Sequence, residues 1–135
     1  MIDSVGEFVR LRASGDSLDF KRIKQDEAPV EVWRAIVERL PDMRFWVSFN
    51  RTLPTEIIRI LADDADWRVR DQIAGRRDTP LDILETLSRD DHDAVLSTVA
   101  DNPRTPTRAL ETLSGHSWSQ IREKAERQLQ GRRIG

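Results

Sequence analysis

The chain repeats itself, and two copies of one short stretch reveal the period. The stretch "LETLS" occurs at 84–88 and again at 110–114, and a Thr-Pro pair precedes each copy at the same distance. Two further prolines upstream stand in phase with these pairs. The four prolines, whose numbers increase in steps of 25, 26 and 26, are Pro29, Pro54, Pro80 and Pro106. A unit this short cannot bury an apolar face alone, so the period predicts a stack of similar units.

An apolar pattern with helical spacing follows each proline. Positions three, four and seven residues after the proline share one face of an α-helix, which we name helix A. The residues at these positions are Val32, Trp33, Ile36, Ile57, Ile58, Leu61, Ile83, Leu84, Leu87, Ala109, Leu110 and Leu113. Proline suits the first helical turn, where its missing N–H has no partner in any case. Thr79 and Thr105, which precede two of the prolines, are therefore expected to be N-caps of helix A.

A second helix, B, follows in each unit. Two apolar columns keep the repeat period strictly and stand four residues apart, one turn of a helix. They consist of Met43, Val69, Val95 and Ile121, and of Val47, Ile73, Val99 and Ala125. The pattern leaves open whether helix B is an α-helix or a 3₁₀ helix. The predicted repeats are residues 28–52, 53–78, 79–104 and 105–130, followed by a polar tail, 131–135, that ends the stack and frays.

The segment 1–27, before the first repeat, does not share the repeat pattern. "SVGE", from Ser4 to Glu7, matches a capping box at the start of a helix. A second short helix is predicted from Ser17 to Lys24. We interpret this pair as a cap on the open end of the stack. The whole chain, 1–135, is thus predicted to be a single all-α domain: a right-handed α-solenoid of about four two-helix repeats with an N-terminal helical cap.

Composition excludes several classes of function. The chain has no cysteine, which rules out disulfides, zinc–thiolate sites and a cysteine nucleophile. No apolar run is long enough to span a membrane, so we expect a cytoplasmic, monomeric protein without membrane contact. The acidic run around His92 resembles a metal cluster, but consecutive residues of one link rarely converge on an ion. We therefore expect no metal and no cofactor, and since His116 has no acid partner in the sequence, no catalytic residue.

The stretch "LADDADWRVRDQIAGRRDTPLDILETLSRD" resembles bacterial HEAT-like repeats, especially the leucine-rich repeat variant class. Asp66 to Arg70 match the D-x-x-V-R step of such repeats, whereas the third unit carries Leu96 in place of the arginine. The resemblance implies a curved stack in which an α-helix is paired with a second, sometimes 3₁₀, helix. It also implies a binding scaffold, and toxin-neutralising immunity proteins are one role found among small members.

The first helix B departs from the other copies. Phe45, Trp46 and Phe49 occupy positions that are polar or small in the later units. They are expected either to pack against the cap helices or to form an aromatic binding patch. Trp67 and Trp118 lie at A–B links and are expected either to pack on the neighbouring unit or to contact a ligand.

Arginines form a further column. Arg44, Arg70 and Arg122 are separated by one and two repeat periods. More arginines, in the segments that follow helix B, are Arg51, Arg76, Arg77 and Arg104. One interpretation is ion pairing between repeats with the acidic links. The other is a basic strip that binds an acidic protein or a nucleic-acid backbone.

These features favour a non-enzymatic module whose concave surface, lined by the B helices, binds a protein. Within that class we favour a bacterial immunity or antitoxin-like inhibitor, with a toxin as partner. The candidate partner-binding residues are Arg44, Phe45, Trp46, Trp67, Arg70, Arg76, Arg77 and Arg104. One alternative is nucleic-acid binding in a groove similar to that of HEAT-like DNA glycosylases, which the net charge of −2 disfavours. Another is an accessory or assembly subunit.

Overall fold

In the computed structural model, which describes residues 1–134, every regular element is helical. The predicted all-α class is confirmed. The elements are α1 (Val5–Ala13), α2 (Ser17–Gln25), α3 (Val30–Arg39), a 3₁₀ helix (Pro41–Met43), α4 (Arg44–Val47), α5 (Thr55–Ala62), α6 (Trp67–Gly75), α7 (Leu81–Leu87), α8 (Asp93–Asp101), α9 (Thr107–Ser114) and α10 (Ser119–Ile134).

The helices form two compact units, Met1–Leu61 and Ala62–Gly135. In the first unit, α1 packs against α2 and α3, and α2 also contacts α4. In the second unit, α6 packs against α8, and α10 packs against both α8 and α9. Contacts between every second helix, such as α6 with α8, are those expected when B helices of successive repeats lie side by side.

Each helix A begins one residue later than its proline. Pro29 and Pro80 are N-caps, with φ of −57° and −56° and ψ of 145° and 146°, and so lie outside the helix. Their carbonyls accept the first hydrogen bonds of the helix, as that of Pro29 does from the amides of Val32 and Trp33. The expectation that proline occupies the first turn was therefore wrong by one position. The carboxylates of Glu31, Glu56 and Asp82 do lie in the first turn, where they suit the helix dipole.

Thr79 and Thr105 do not cap the helices that follow them, which corrects the prediction. Both are fully buried, and their hydroxyls donate backwards to the carbonyls of Ile73 and Val99, each at 2.6 Å. Proline forces the residue before it into an extended conformation. In this position the hydroxyl reaches the end of the preceding helix B, where carbonyls lack helical partners. Each threonine thus stabilises the end of helix B.

Helix B takes both of the forms that the sequence left open. In the first repeat it is the 3₁₀ helix Pro41–Met43 followed by the single α-helical turn α4. In the later repeats it is α-helical, as α6, α8 and α10. The last of these continues to Ile134, so residues 131–134 of the predicted fraying tail are helical. Arg132 and Arg133 lie in its last turn, where positive charge favours the helix end. Gly135 lies outside the described residues.

The repeat columns form the core of each unit. The residues four and seven positions after each proline are all buried, as are Val47, Ile73, Val99 and Ala125 of helix B. Three members of the predicted columns, Val32, Met43 and Ile83, are only partly buried. At the N-terminus the amide of Glu7 donates to Ser4 Oγ at 3.1 Å, which confirms the amide-to-hydroxyl half of the capping box. None of the helices described is both long and apolar enough to cross a bilayer.

Candidate protein-binding surface

Four aromatic rings meet in the first unit. Phe45, Trp46 and Phe49, from helix B of the first repeat and the turn after it, gather around Phe20 of α2. We name these four residues the aromatic cluster. Phe20 lies 5.9 Å from Trp46 and 6.5 Å from Phe49, and Phe45 lies 5.4 Å and 5.0 Å from the same two rings. Most pairs are edge-to-face, the favoured geometry for aromatic side chains.

Two cations border the aromatic cluster. The guanidinium carbon of Arg12, from α1, lies 3.8 Å from the centroid of Trp46. Lys24 Nζ lies 5.6 Å from the centroid of Phe20. Both distances are within the range of cation–π attraction, which is stronger for the closer, less hydrated guanidinium. Arg12 Nε is buried and has no hydrogen-bond partner among the described residues.

Both interpretations of these aromatics find support. The contacts with Phe20 and Arg12 show that the rings pack against the cap helices. The packing is incomplete, because Phe45, Trp46 and Phe49 are only partly buried and Phe20 remains 37% exposed. The aromatic cluster thus joins the cap to the first repeat on one side and presents apolar surface on the other.

The same positions carry a polar network in the second unit. Thr98 Oγ1 donates to Asp71 Oδ1 at 2.5 Å, from α8 to α6. Lys124 Nζ of α10 donates to Ser97 Oγ at 2.7 Å and to Asp101 Oδ2 at 2.8 Å. These side chains hold successive B helices together and satisfy one another. The apolar surface of the aromatic cluster is therefore a feature of the first unit and not of the repeat.

The arginine column binds the links between helices A and B. Arg70 Nη1 donates to the carbonyls of Asp64 and Ala65 at 2.8 and 3.1 Å. Arg122 Nη1 donates to the two corresponding carbonyls, those of His116 and Ser117, at 3.3 and 3.4 Å. These bonds stabilise a link whose carbonyls have no helical partner. In the first repeat, Arg44 Nε instead donates to the carbonyl of Val37, at the end of α3, at 2.7 Å.

Arg70 also forms an ion pair between repeats. Its Nε and Nη2 donate to the two carboxylate oxygens of Asp90 at 2.8 and 3.1 Å, and Nη2 reaches Asp91 at 3.2 Å. The side chains of Arg70 and Asp90 are only 13% and 7% exposed. Burial opposes ionisation of Asp90, but hydrogen bonds from Arg70 and from the His92 amide outweigh it and hold the pKa of the carboxyl below its ordinary value. This is the pairing with the acidic links that the sequence suggested.

The arginines after helix B likewise make contacts within the chain. Arg76 forms a two-point ion pair with Asp78, at 2.8 and 2.9 Å. Arg77 Nη1 donates to the carbonyl of Gly75 at 3.0 Å. Arg104 Nη1 donates to the carbonyls of Arg77 and Thr79 at 2.8 and 2.7 Å, and so joins the end of the third repeat to the junction between the second and third repeats. These contacts favour a structural role for the arginines.

Trp67 packs on the neighbouring repeat. Its ring stacks on His92 with centroids 4.1 Å apart and an interplanar angle of 11°, while 38% of the residue stays exposed. His92 Nδ1 accepts from the amide of Ala94 and caps α8. Across the part of the chain that the structure describes, no group of three or more His, Cys, Asp or Glu side chains is placed to hold a metal ion. Trp118, the other link tryptophan, is 40% exposed.

One column of hydrogen-bond donors escaped the sequence reasoning. Asn50 Nδ2 donates to the carbonyls of Ile23 and Asp26 at 2.7 and 2.8 Å. Asn102 Nδ2, two periods later, donates to the carbonyls of Ala74 and Arg76 at 2.8 and 2.9 Å. Gln128 Nε2 makes the corresponding bonds to Ala100 and Asn102. The available signal was the spacing of these side-chain amides, which stand one or two repeat periods apart in the sequence.

Comparison of the chain with protein-family models, with curated proteins and with solved structures finds no match. The candidate surface therefore depends on geometry alone. The predicted arginines are engaged in contacts that hold links and repeats. The aromatic cluster retains apolar surface, and beside it Arg12 Nε has no hydrogen-bond partner among the described residues. Of the residues predicted to bind a partner, the structure brings Phe45 and Trp46 together and places them beside Arg12 and Phe20, which the sequence did not single out.

Proposed function

We propose that this protein is a non-enzymatic module that binds another protein through the aromatic cluster. The observation that carries the proposal is the contrast between the two units at equivalent positions of helix B. In the second unit these positions are polar and satisfy one another, whereas in the first they are aromatic and partly exposed. Partly exposed aromatic side chains beside an arginine have the composition of binding hot spots.

The repeats suit such a role. We propose that they continue into one right-handed α-solenoid of the HEAT-like, leucine-rich repeat variant type, with the B helices lining its concave surface. Hydrogen bonds that recur at the repeat spacing, such as those of Asn102 and Gln128, support a regular stack of the later repeats. A preformed surface loses little conformational entropy on binding. Small-angle X-ray scattering tests the shape, because a solenoid gives a longer maximum dimension than a globule of the same mass.

Within this class we favour an inhibitor of the immunity or antitoxin kind, acting in the cytoplasm as a monomer. Such a protein neutralises its target by covering it, which requires a rigid binding surface and no catalytic group. Toxicity assays test this role: co-expression of the protein with candidate toxins from the same genome should restore growth. A target that stays fully active when bound would contradict inhibition while leaving partner binding intact.

The test of the binding surface compares two matched variants. Phe45→Ser introduces the residue that stands at this position in the third repeat, Ser97. Leu81→Ser removes a similar apolar side chain, 48% exposed, from the second unit.

The complex itself is detected by cross-linking. We expect a photoreactive phenylalanine analogue at position 45 to cross-link one protein in cells, and native mass spectrometry should show a complex of fixed stoichiometry. Phe45→Ser should abolish that complex and Leu81→Ser should preserve it. Equal loss in both variants, or in neither, would contradict the proposal.

Nucleic-acid binding remains the second candidate function, because arginines are abundant in the chain. It predicts binding of duplex DNA with a steep dependence on salt, through several phosphate contacts. The arginine contacts with carboxylates and carbonyls argue against it, since an arginine held by the protein must break those bonds to reach a phosphate. DNA binding at near-physiological salt that is lost in Arg77→Gln would favour this alternative.

A further inference from the structure

We propose that the segment bound at the aromatic cluster is acidic as well as apolar, and that one of its carboxylates accepts a hydrogen bond from Arg12. This inference rests on the proposed function and specifies the chemistry of the partner. Its main support is the state of Arg12, a partly buried residue whose guanidinium lies on the face of Trp46 and whose Nε has no hydrogen-bond partner among the described residues. Because Nε is itself buried, the carboxylate reaches the terminal Nη groups of Arg12 and not Nε.

An unpartnered buried donor is uncommon in folded proteins, because burying an N–H without a hydrogen bond is unfavourable. Other half-buried arginines of this chain follow that rule: Arg70 and Arg22 both donate from Nε to a carboxylate. Arg12 Nε has no such acceptor in the part of the chain that the structure describes, and the guanidinium lies on the face of Trp46 instead. The guanidinium of Arg12 is therefore already oriented, and a carboxylate that approaches it gains charge-assisted hydrogen bonds without ordering a flexible side chain.

Charge favours an acidic partner at this surface. Arg12 and Lys24 both lie over rings of the aromatic cluster, so the apolar surface is bordered by positive charge. A protein segment that carries Asp or Glu beside Leu, Phe or Trp satisfies both features at once. An apolar side chain covers Phe45 and Phe49, and the adjacent carboxylate reaches Arg12.

A protein segment fits this surface better than a nucleic acid does. Single-stranded nucleic acids bind aromatic residues by stacking bases on free ring faces. In the aromatic cluster the rings meet mostly edge-to-face, at interplanar angles of 79° for Phe45 with Trp46 and 83° for Phe45 with Phe49. One face of Trp46 is already covered by Arg12. The cluster thus offers an uneven apolar surface in place of flat stacking platforms.

The experiment selects short random peptides on the full-length chain by phage display, with counter-selection against Phe45→Ser. We expect the enriched peptides to carry Asp or Glu beside a large apolar residue. In titrations with a synthetic peptide from this set, Arg12→Gln should weaken binding about tenfold or more, the effect of losing hydrogen bonds to a charged group. Arg10→Gln is the matched control, since it removes the same charge from the same helix at an exposed position. Exchanging Glu for Gln in the peptide should weaken binding to the wild type but not to Arg12→Gln.

Several results would overturn the inference. The enriched peptides could lack acidic residues, or the Gln peptide could bind the wild type as tightly as the Glu peptide. Either result would show that the surface binds apolar side chains without a carboxylate contact to Arg12. An equal loss in Arg10→Gln and Arg12→Gln would replace the specific contact with general electrostatic attraction. If oligonucleotides displace the peptides and bind more tightly than they do, and Arg12→Gln weakens that binding, Arg12 contacts phosphate and not a carboxylate. If no peptide distinguishes Phe45→Ser from Leu81→Ser, the proposed function fails together with the inference.

Discussion

Replacement of Arg70 by Gln should destabilise the protein before it affects any partner. The change removes two hydrogen bonds to the Asp90 carboxylate, which is 7% exposed, and two to the carbonyls of Asp64 and Ala65. Loss of one partner from a fully buried ion pair costs about 3–5 kcal/mol. Because Arg70 is 13% exposed, water enters and lowers the cost, so we expect roughly 2–3 kcal/mol.

Urea unfolding monitored by far-UV circular dichroism measures this change directly. In thermal unfolding the same loss should lower the Tm by roughly 6–15 °C for a chain of this size. A double-mutant cycle with Asp90→Asn isolates the pair, and we expect a coupling free energy of about 1–2 kcal/mol. The control is Arg68→Gln, which breaks an exposed ion pair with Asp66 and should leave stability at the wild-type value.

A structural role for Arg70 would be refuted if Arg70→Gln unfolded at the wild-type urea concentration and the cycle showed no coupling. That result, combined with loss of the partner complex, would make Arg70 a binding residue, as one interpretation of the sequence suggests. A third outcome would separate a structural role of Arg70 from contact with a partner. If the stability falls but Arg70→Gln binds normally at a temperature where it is folded, the arginine holds the repeats and does not contact the partner.

Three further predictions concern hydrogen bonds of the second unit. Since the pKa of Asp90 is lowered on folding, its pair with Arg70 stabilises the protein above the unfolded pKa. The difference in unfolding free energy between wild type and Asp90→Asn should therefore be fully present above about pH 5 and be lost as the pH falls through the lowered pKa of Asp90. Asn102→Ala should cost about 2 kcal/mol in urea unfolding, because two carbonyls lose a donor, whereas a cost near zero would mean that water replaces it. Thr105→Val should cost about 1–2 kcal/mol and Thr105→Ser clearly less, since serine keeps the buried hydroxyl; equal costs would assign the effect to packing of the methyl group.

The sequence predicted helices where apolar columns repeat, because burial of one helical face leaves a periodic trace. It did not predict in which direction along the chain a threonine side chain forms its hydrogen bond. A threonine before a proline can accept from the next helix only if the proline is the first helical residue. Because Pro80 is itself the N-cap, Thr79 lies one residue too early to cap the helix, and it donates to Ile73 of the preceding helix instead. The sequence also did not indicate that α10 continues to Ile134, since a polar helix that continues past the core has no apolar pattern to reveal it.

The candidate site was only half visible in the sequence. Phe45 and Trp46 stood out because other repeats provide a reference for what each position should contain. Arg12 and Phe20 belong to the cap, which occurs once, so no repeat position marks them as unusual. Their proximity to Trp46 is a contact between segments distant in the chain, and such contacts leave no local spacing to detect.

The aromatic cluster can be understood from the requirements of the first repeat. In the later repeats, a B helix packs beside another B helix. Polar pairs such as Thr98 with Asp71 can form there because the two helices are equivalent elements of successive repeats. The first B helix is a short 3₁₀ and α segment beside α2, which carries Phe20 at the contact. Aromatic residues tolerate such an irregular junction, since they contribute apolar contact without a fixed hydrogen-bond register. The same property leaves ring surface uncovered at the junction, so the position where the repeat adapts to its cap is also where we propose that another chain binds.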